Sequence, residues 1–194
     1  MREIPVLESE RLRIRPFHNT DLPHLFQIKQ NIGWVDAAKT AEQQLLAEAS
    51  YLEWAVRNER QLAKLGQPPY GDRAIVLKEN DELIGSVGLV PCVDVYGQLP
   101  GLGGQADCPA TAEVGLLWLI GLAHQGKGYA TEAAQTLIDY AFGSMRLQRL
   151  IATTEDENLA SQAVMRKLGM TIERNPFPDP PWLQVVGILE NNRL

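Results

Sequence analysis

The stretch that most constrains this chain is residues 112–131, AEVGLLWLIGLAHQGKGYAT. Residues 112–120 are almost continuously apolar, the pattern of a strand buried on both faces. Gly126 and Gly128 follow. Residues 129–142 then carry Ala130, Ala133, Ala134, Leu137, Ile138, Ala141 and Phe142 at spacings of three and four, the apolar stripe of a helix. A buried strand that turns through glycines into a helix demands a sheet packed against helices. It excludes an all-α or an all-β domain.

The same stretch has a chemical reading. Glycines let a backbone curl closely round a ligand. The first N–H groups of a helix lack intrahelical partners, and the helix N-terminus carries about half a positive charge. Residues 124–131 therefore form a candidate pyrophosphate cradle, with Lys127 as an added cation. A plain strand-to-helix turn explains the glycines equally well. Two known phosphate loops fit poorly. The nucleotide P-loop needs Lys and then Ser or Thr after its second glycine, and Gly128 is followed by Tyr129. The dinucleotide fingerprint needs Gly or Ala where Thr131 stands, although the next strand, LQRLIATTEDEN, does end in acids.

The rest of the chain alternates strand and helix signals. Residues 12–16 alternate Leu, Ile and Pro with Arg and read as a strand. Asn19-Thr20-Asp21 reads as a helix start, with Pro23 in the first turn. Residues 40–65 read as a long helix stopped by Gly66 and prolines. Strands are expected at 74–78, 82–90, 112–120, 147–153, 170–174 and 182–189, helices at 129–142 and 158–168, and a flexible loop at 97–104, GQLPGLGG. No repeat or linker divides the chain, so residues 1–194 are expected to form a single domain. A chain of 194 residues buries roughly 70% of its unfolded surface and needs no disulfide or metal to hold a core.

Composition narrows the function classes. Eighteen Lys and Arg stand against 24 Asp and Glu, a net charge of −6. That disfavours a broad nucleic-acid face, leaves room for a small local basic site and tolerates a basic acceptor such as an amine or a peptide N-terminus. Cys92 and Cys108 form no CxxC pair and His18, His24 and His124 are scattered, so no metal site is expected. No apolar run spans a bilayer and the N-terminus lacks a signal peptide's apolar centre, so a cytoplasmic protein without membrane attachment is expected.

The pattern Gln125-Gly126-x-Gly128-Tyr129-Ala130 resembles the coenzyme A pyrophosphate loop of the GNAT N-acetyltransferases. Asn158-x-x-Ser161, Leu168-Gly169-Met170, the opening Leu7-Glu8-Ser9-Glu10-Arg11-Leu12-x-Ile14-Arg15 and the closing Val185-Val186-Gly187-Ile188-Leu189 follow in the order of the Rim branch, which contains ribosomal-protein N-terminal acetyltransferases. The resemblance covers nearly the whole chain. It implies an α/β fold with a mixed, mostly antiparallel central sheet flanked by helices, in which a splayed strand pair forms the acyl-CoA cleft. It implies an acetyl-CoA-dependent N-acetyltransferase that uses acetyl-CoA as cosubstrate and no metal. The acceptor would be a primary amine, either a protein N-terminus or a small molecule, that attacks directly in a ternary complex.

The resemblance also assigns residues. Glu113 matches the Glu ahead of the family's Val-Gly or Ile-Gly pair and is the candidate base, its partial burial expected to help it take a proton. A strand-edge glutamate paired with an arginine is the structural alternative. Ser161 matches the serine proposed to protonate the leaving thiolate. Gln125, Gly126, Lys127, Gly128, Tyr129, Ala130 and Thr131 would hold the pyrophosphate, and Trp118, Leu119 and Ile120 would pair with pantetheine as an added strand. Asn158 would touch pantetheine, or else merely cap its helix. The acceptor would lie near Trp34, Tyr70 and Tyr96, and a homodimer stays open. The alternative from another class is a non-catalytic acyl-CoA-binding regulatory protein with the same fold.

Overall fold

The computed structural model describes residues 4–68 and 70–192. It divides into two compact units: the chain up to Gly88 with Leu117–Thr136, and Leu89–Leu116 with the chain from Leu137 onward. Among the described residues there are eight strands, β1 (Leu7–Glu8), β2 (Leu12–Arg15), β3 (Gly71–Leu77), β4 (Leu83–Asp94), β5 (Thr111–Ile120), β6 (Arg149–Thr154), β7 (Thr171–Arg174) and β8 (Val185–Glu190). They also hold four α-helices, α1 (Leu22–Asn31), α2 (Ala41–Lys64), α3 (Tyr129–Gly143) and α4 (Leu159–Lys167). The strand order is β1-β2-β3-β4-β5-β6-β8-β7. The first unit holds β1 to β3, β4 up to Gly88 and β5 from Leu117; the second holds β4 from Leu89, β5 up to Leu116 and β6 to β8. The β1–β2, β2–β3, β6–β8 and β7–β8 pairs are antiparallel, and β5–β6 is parallel. This is the mixed α/β architecture that the strand–loop–helix pattern demands.

In the first unit, α1 and α2 pack on the sheet. Phe17, Leu25, Leu52, Ala74, Val76 and Leu83 form their buried cluster. Helix α2 begins where Thr40 accepts from the Gln43 N–H at 3.3 Å while the Gln43 side chain accepts from the Thr40 N–H at 2.9 Å. This reciprocal capping box satisfies two donors at the helix start. The Arg residues that alternate along β2 are paired at the sheet face, Arg15 with Asp21 at 2.8 Å and Arg13 with Asp81 at 2.6 Å.

In the second unit, Tyr96, Leu99, Ile151, Leu183, Val186 and Ile188 cluster. Gly187 of β8 makes room beside this core for two methionines. A Cβ there would lie 2.9 Å from the Met170 sulfur and 3.1 Å from that of Met165.

The segment 97–104 corrects the expectation of a flexible loop. It folds into two 3-10 turns, Tyr96–Gln98 and Pro100–Leu102, with Leu99 fully buried. Gln98 accepts from Asn175 at 2.6 Å, and the Gly101 N–H donates to Glu173 at 2.9 Å. Glycine content argued for freedom, but Tyr96, Leu99 and Leu102, three residues apart, anchor the segment instead. The remaining differences lie at strand ends. β3 begins earlier and β4 runs further than their apolar cores indicate, and the short β1 carries too little pattern to read.

Within the first unit, a Cβ at Gly85 would sit 2.0 Å from the backbone oxygen of Leu119 and 3.0 Å from its carbonyl carbon. Backbone cannot swing aside as a side-chain tip can. Gly85→Ala is expected to cost about 3 kcal/mol, the upper end of overpacking penalties, and to lower Tm by about 6–12 °C. Gly143→Ala, with nothing within 4 Å of its Cβ, should leave Tm unchanged or slightly raised. Thermal unfolding of both variants checks the pair.

Candidate functional site

The loop belongs to the first unit and is built outward from the end of β5. The Gly121 N–H donates to Ile84 O at 2.8 Å, which holds the strand end in the sheet. A 3-10 turn, Leu122–His124, follows. The Gln125 side-chain amide then reaches back to Ile120 O at 2.9 Å. The glutamine expected to hold a cofactor thus has its amide nitrogen engaged in closing the loop. Gly126 and Gly128 take φ of 73° and 84°, left-handed conformations that side chains resist. A Cβ at Gly126 would meet nothing within 4 Å, so this side of the loop is open.

The first α3 hydrogen bond entering from the loop runs from Glu132 N to Gly128 O at 3.0 Å. The N–H groups of Tyr129, Ala130 and Thr131 ahead of it have no intrahelical acceptor. The Thr131 hydroxyl is buried and, among the described residues, has no hydrogen-bond partner. An open loop, three N–H groups without an intrahelical acceptor and an orphaned hydroxyl at a helix N-terminus form a donor set for an anion. Coenzyme A, with its pyrophosphate, fits that donor set. The Lys127 side chain is exposed beside it.

Trp118, Leu119 and Ile120 are the last three residues of β5, Trp118 half-buried and the other two buried. The Leu119 and Ile120 side chains are packed in the core, so any ligand role of theirs falls to the backbone. Among the described residues β5 and β6 share one registered pair, Gly115↔Ile151.

In the second unit, Glu113 is half-buried near the start of β5. Its carboxylate is gripped by Arg149 of β6, with Nε to Oε2 at 3.2 Å and Nη2 to Oε1 at 3.1 Å. Arg149 also reaches Glu190 at 3.2 Å. Both Glu113 oxygens are engaged, so the arginine-paired geometry is present at the candidate base. Cys92 approaches the Glu113 carbonyl with its sulfur at 3.5 Å. Burial pushes the Cys92 thiol up from its ordinary range, which makes it a poor nucleophile.

Asn158 caps α4, its Oδ1 accepting from the Ser161 N–H at 3.0 Å. The Ser161 side chain is half-buried, and Met165, one turn further along this face, is fully buried. Of the aromatics expected near an acceptor, Trp34 is 52% exposed, whereas Tyr96 is 4% exposed and belongs to the core. No group of three His, Cys, Asp or Glu among the described residues could hold a metal.

Several contacts had no signal in sequence spacing. Glu132 accepts from Ser9 Oγ at 2.7 Å, from the Arg11 N–H at 2.9 Å and from Arg11 Nε at 2.7 Å. In a second cluster of this unit, Lys29 pairs with Glu48 at 2.8 Å and lies 4.1 Å from the Tyr51 ring centre, and Tyr51 donates to Asp72. Burial pushes the Asp72 carboxyl up, against the hydrogen bond from Tyr51 and the nearby Lys29.

Burial would raise the Glu132 carboxyl, but the bonds from Ser9 and Arg11 overcome it and hold the group below its ordinary range. A carboxyl depressed by folding stabilises the fold above its unfolded value, about 4.3. That contribution fades as pH falls through the folded value. The stability difference between wild type and Glu132→Gln is therefore expected to be constant near neutrality and to shrink below about pH 4. Urea midpoints at stepped pH read it directly.

Comparison with known proteins adds independent findings. The sequence profile of the Acetyltransferase (GNAT) domain matches residues 11–171. A Bacillus subtilis protein named uncharacterized N-acetyltransferase YjdG is 28% identical over 192 residues, 93% of this chain and 98% of that relative. A second Bacillus subtilis protein, named uncharacterized N-acetyltransferase YnaD, is 48% identical over 63 residues, 32% of this chain and 36% of that relative. Among solved structures, a ribosomal-protein-S5-alanine acetyltransferase from Vibrio fischeri superposes with a TM-score of 0.67 at 15% identity, covering 97% of this chain and 98% of the other.

Proposed function

Because the chain belongs to the GNAT acetyltransferases and is thereby an acetyl-CoA-dependent acetyltransferase, we propose that its acceptor is a primary amine, on a protein N-terminus or a small molecule. The amine attacks the thioester directly while both substrates are bound. What carries the reading is the 125–131 loop, with its two left-handed glycines, its N–H groups free of intrahelical acceptors and the buried Thr131 hydroxyl, partnerless among the described residues.

When bound, acetyl-CoA supplies the activated acetyl group as a thioester. The chain's residues do the rest. The N–H groups at the start of α3, the Thr131 hydroxyl and Lys127 hold the pyrophosphate. Gly126 leaves the approach open. The backbone of Trp118, Leu119 and Ile120 takes the pantetheine amides as an added strand would.

An amine must be neutral to attack. An α-amine has a pKa of about 7.7–8.0 and a lysine amine about 10.4, so the former needs less help near neutrality. Glu113 receives the amine's proton, directly or through a water, while Arg149 fixes its orientation. The Ser161 hydroxyl gives a proton to the departing sulfur and takes one back from water, while Glu113 releases the amine's proton to solvent. Net charge of −6 favours approach of a cationic amine.

Calorimetric titration tests the donor side. Acetyl-CoA and CoA are expected to bind, and ATP and NAD are not. Absence of CoA binding at saturating concentrations would overturn the reading. Thioester turnover with an amine panel then separates a transferase from a protein that only binds acyl-CoA.

A further inference from the structure

The opening Ser9-Glu10-Arg11-Leu12 carries no role in the mechanism above, yet Ser9 and Arg11 meet Glu132 at the start of α3, and Arg11 meets Lys127 in the glycine loop, over 116 or more residues of chain. We infer that Ser9, Arg11 and Glu132 form a brace that shapes the 125–131 loop, with Arg11 as a positioning residue for the donor's pyrophosphate. The inference rests on the acetyl-CoA reading of that loop.

Arg11 reaches Lys127, Gly128 and Tyr129. Its Nη1 donates to Lys127 O at 3.1 Å. Its Nη2 lies 3.5 Å from where a Cβ on Gly128 would stand. Its guanidinium carbon sits 4.4 Å from the Tyr129 ring centre, within cation–π range. The contact with Lys127 O has a geometric consequence. A trans peptide is planar, so the carbonyl of Lys127 and the N–H of Gly128 point in opposite directions. Drawing that carbonyl toward Arg11 turns the Gly128 N–H away from Arg11. A loop free of Arg11 could turn either group toward a phosphate, and a carbonyl would repel it.

The second part of the brace is electrostatic. Glu132 lies in the first turn of α3, where a carboxylate suits the helix dipole but opposes an incoming pyrophosphate. Four donors engage that carboxylate: Ser9 Oγ at 2.7 Å, the Arg11 N–H at 2.9 Å, Arg11 Nε at 2.7 Å and Arg11 Nη2 at 2.6 Å. Two prongs of the Arg11 fork close on one oxygen, Oε2, a planar two-donor grip that a lysine ammonium cannot reproduce. Its charge cancels that of Glu132 beside the loop.

The test compares two donors, acetyl-CoA and acetyl-pantetheine, which keeps the thioester and lacks the pyrophosphate. In Arg11→Ala, KM for acetyl-CoA is expected to rise at least tenfold with kcat within about twofold, while kcat/KM for acetyl-pantetheine stays within about twofold of wild type. Arg11→Lys keeps the charge without the fork and should retain most of the rise. Arg11→Lys carries the test if Arg11→Ala fails to fold.

A general loss of structure would lower turnover of both donors alike, and that result overturns the inference. So does a KM for acetyl-CoA in Arg11→Ala within twofold of wild type, or full recovery in Arg11→Lys. Failure of wild type itself to bind acetyl-CoA would bring down the donor reading, and the inference with it.

Discussion

Gly128→Val is expected to weaken CoA binding by about 100-fold while leaving the fold in place. Gly128 has φ of 84°, where a β-branched residue costs about 1–3 kcal/mol. The loop can escape that strain only by changing shape. It then gives up the N–H directions that a pyrophosphate needs, and every 1.4 kcal/mol lost is about tenfold in affinity. The new methyls would also press toward Arg11, whose Nη2 lies 3.5 Å from the Cβ position. Calorimetry with CoA reads the affinity, and a Tm within a few degrees of wild type shows that the loss is local. Gly143→Ala is the control, at a glycine with open space around it. A Gly128→Val protein that binds CoA as wild type does would remove the loop from the donor site.

What was legible in the sequence was local. The glycine loop, the α3 stripe and the helix start at Thr40 each announce themselves within a dozen residues, because the groups that satisfy one another are near neighbours. The Gly97–Gly104 segment misled because glycine counts report backbone freedom but not the anchors at Tyr96, Leu99 and Leu102. Pairings across the chain were illegible for a different reason. Arg11 meets Glu132 only because β2 and the start of α3 share one unit, and no spacing records it. Glu113 was recognisable as a strand glutamate and Arg149 as a strand arginine. Their match depends on the β5–β6 register, in which Gly115 faces Ile151. Family motifs mark which residues matter. Folded geometry shows how their oxygens and nitrogens are already spent, as with the Gln125 amide closing onto Ile120 O.

That spending bears most heavily on Glu113. Glu113→Gln is expected to lower kcat by about 100-fold, the lower end of the range for loss of a positioned base. KM for acetyl-CoA should change little, because the loop and the β5 backbone remain. The shape of the pH profile gives the sharper result. Without the carboxylate, turnover of an α-amine must wait for the amine to lose its proton to solvent. Activity should climb with pH until about 8, where that amine is largely neutral, and recover part of the deficit there.

Arg149→Gln separates catalysis from bracing. The guanidinium holds both Glu113 oxygens and also Glu190, at 3.1–3.2 Å. Its removal should lower Tm and cost less kcat than loss of the glutamate, since the carboxylate survives. If Glu113 serves only to pin β5 to β6, the two variants would instead lose Tm equally and keep wild-type kcat per folded molecule. A carboxylate held by a guanidinium can be both a strut and a proton acceptor, and the ratio of kcat loss to Tm loss in this pair of variants measures which role dominates.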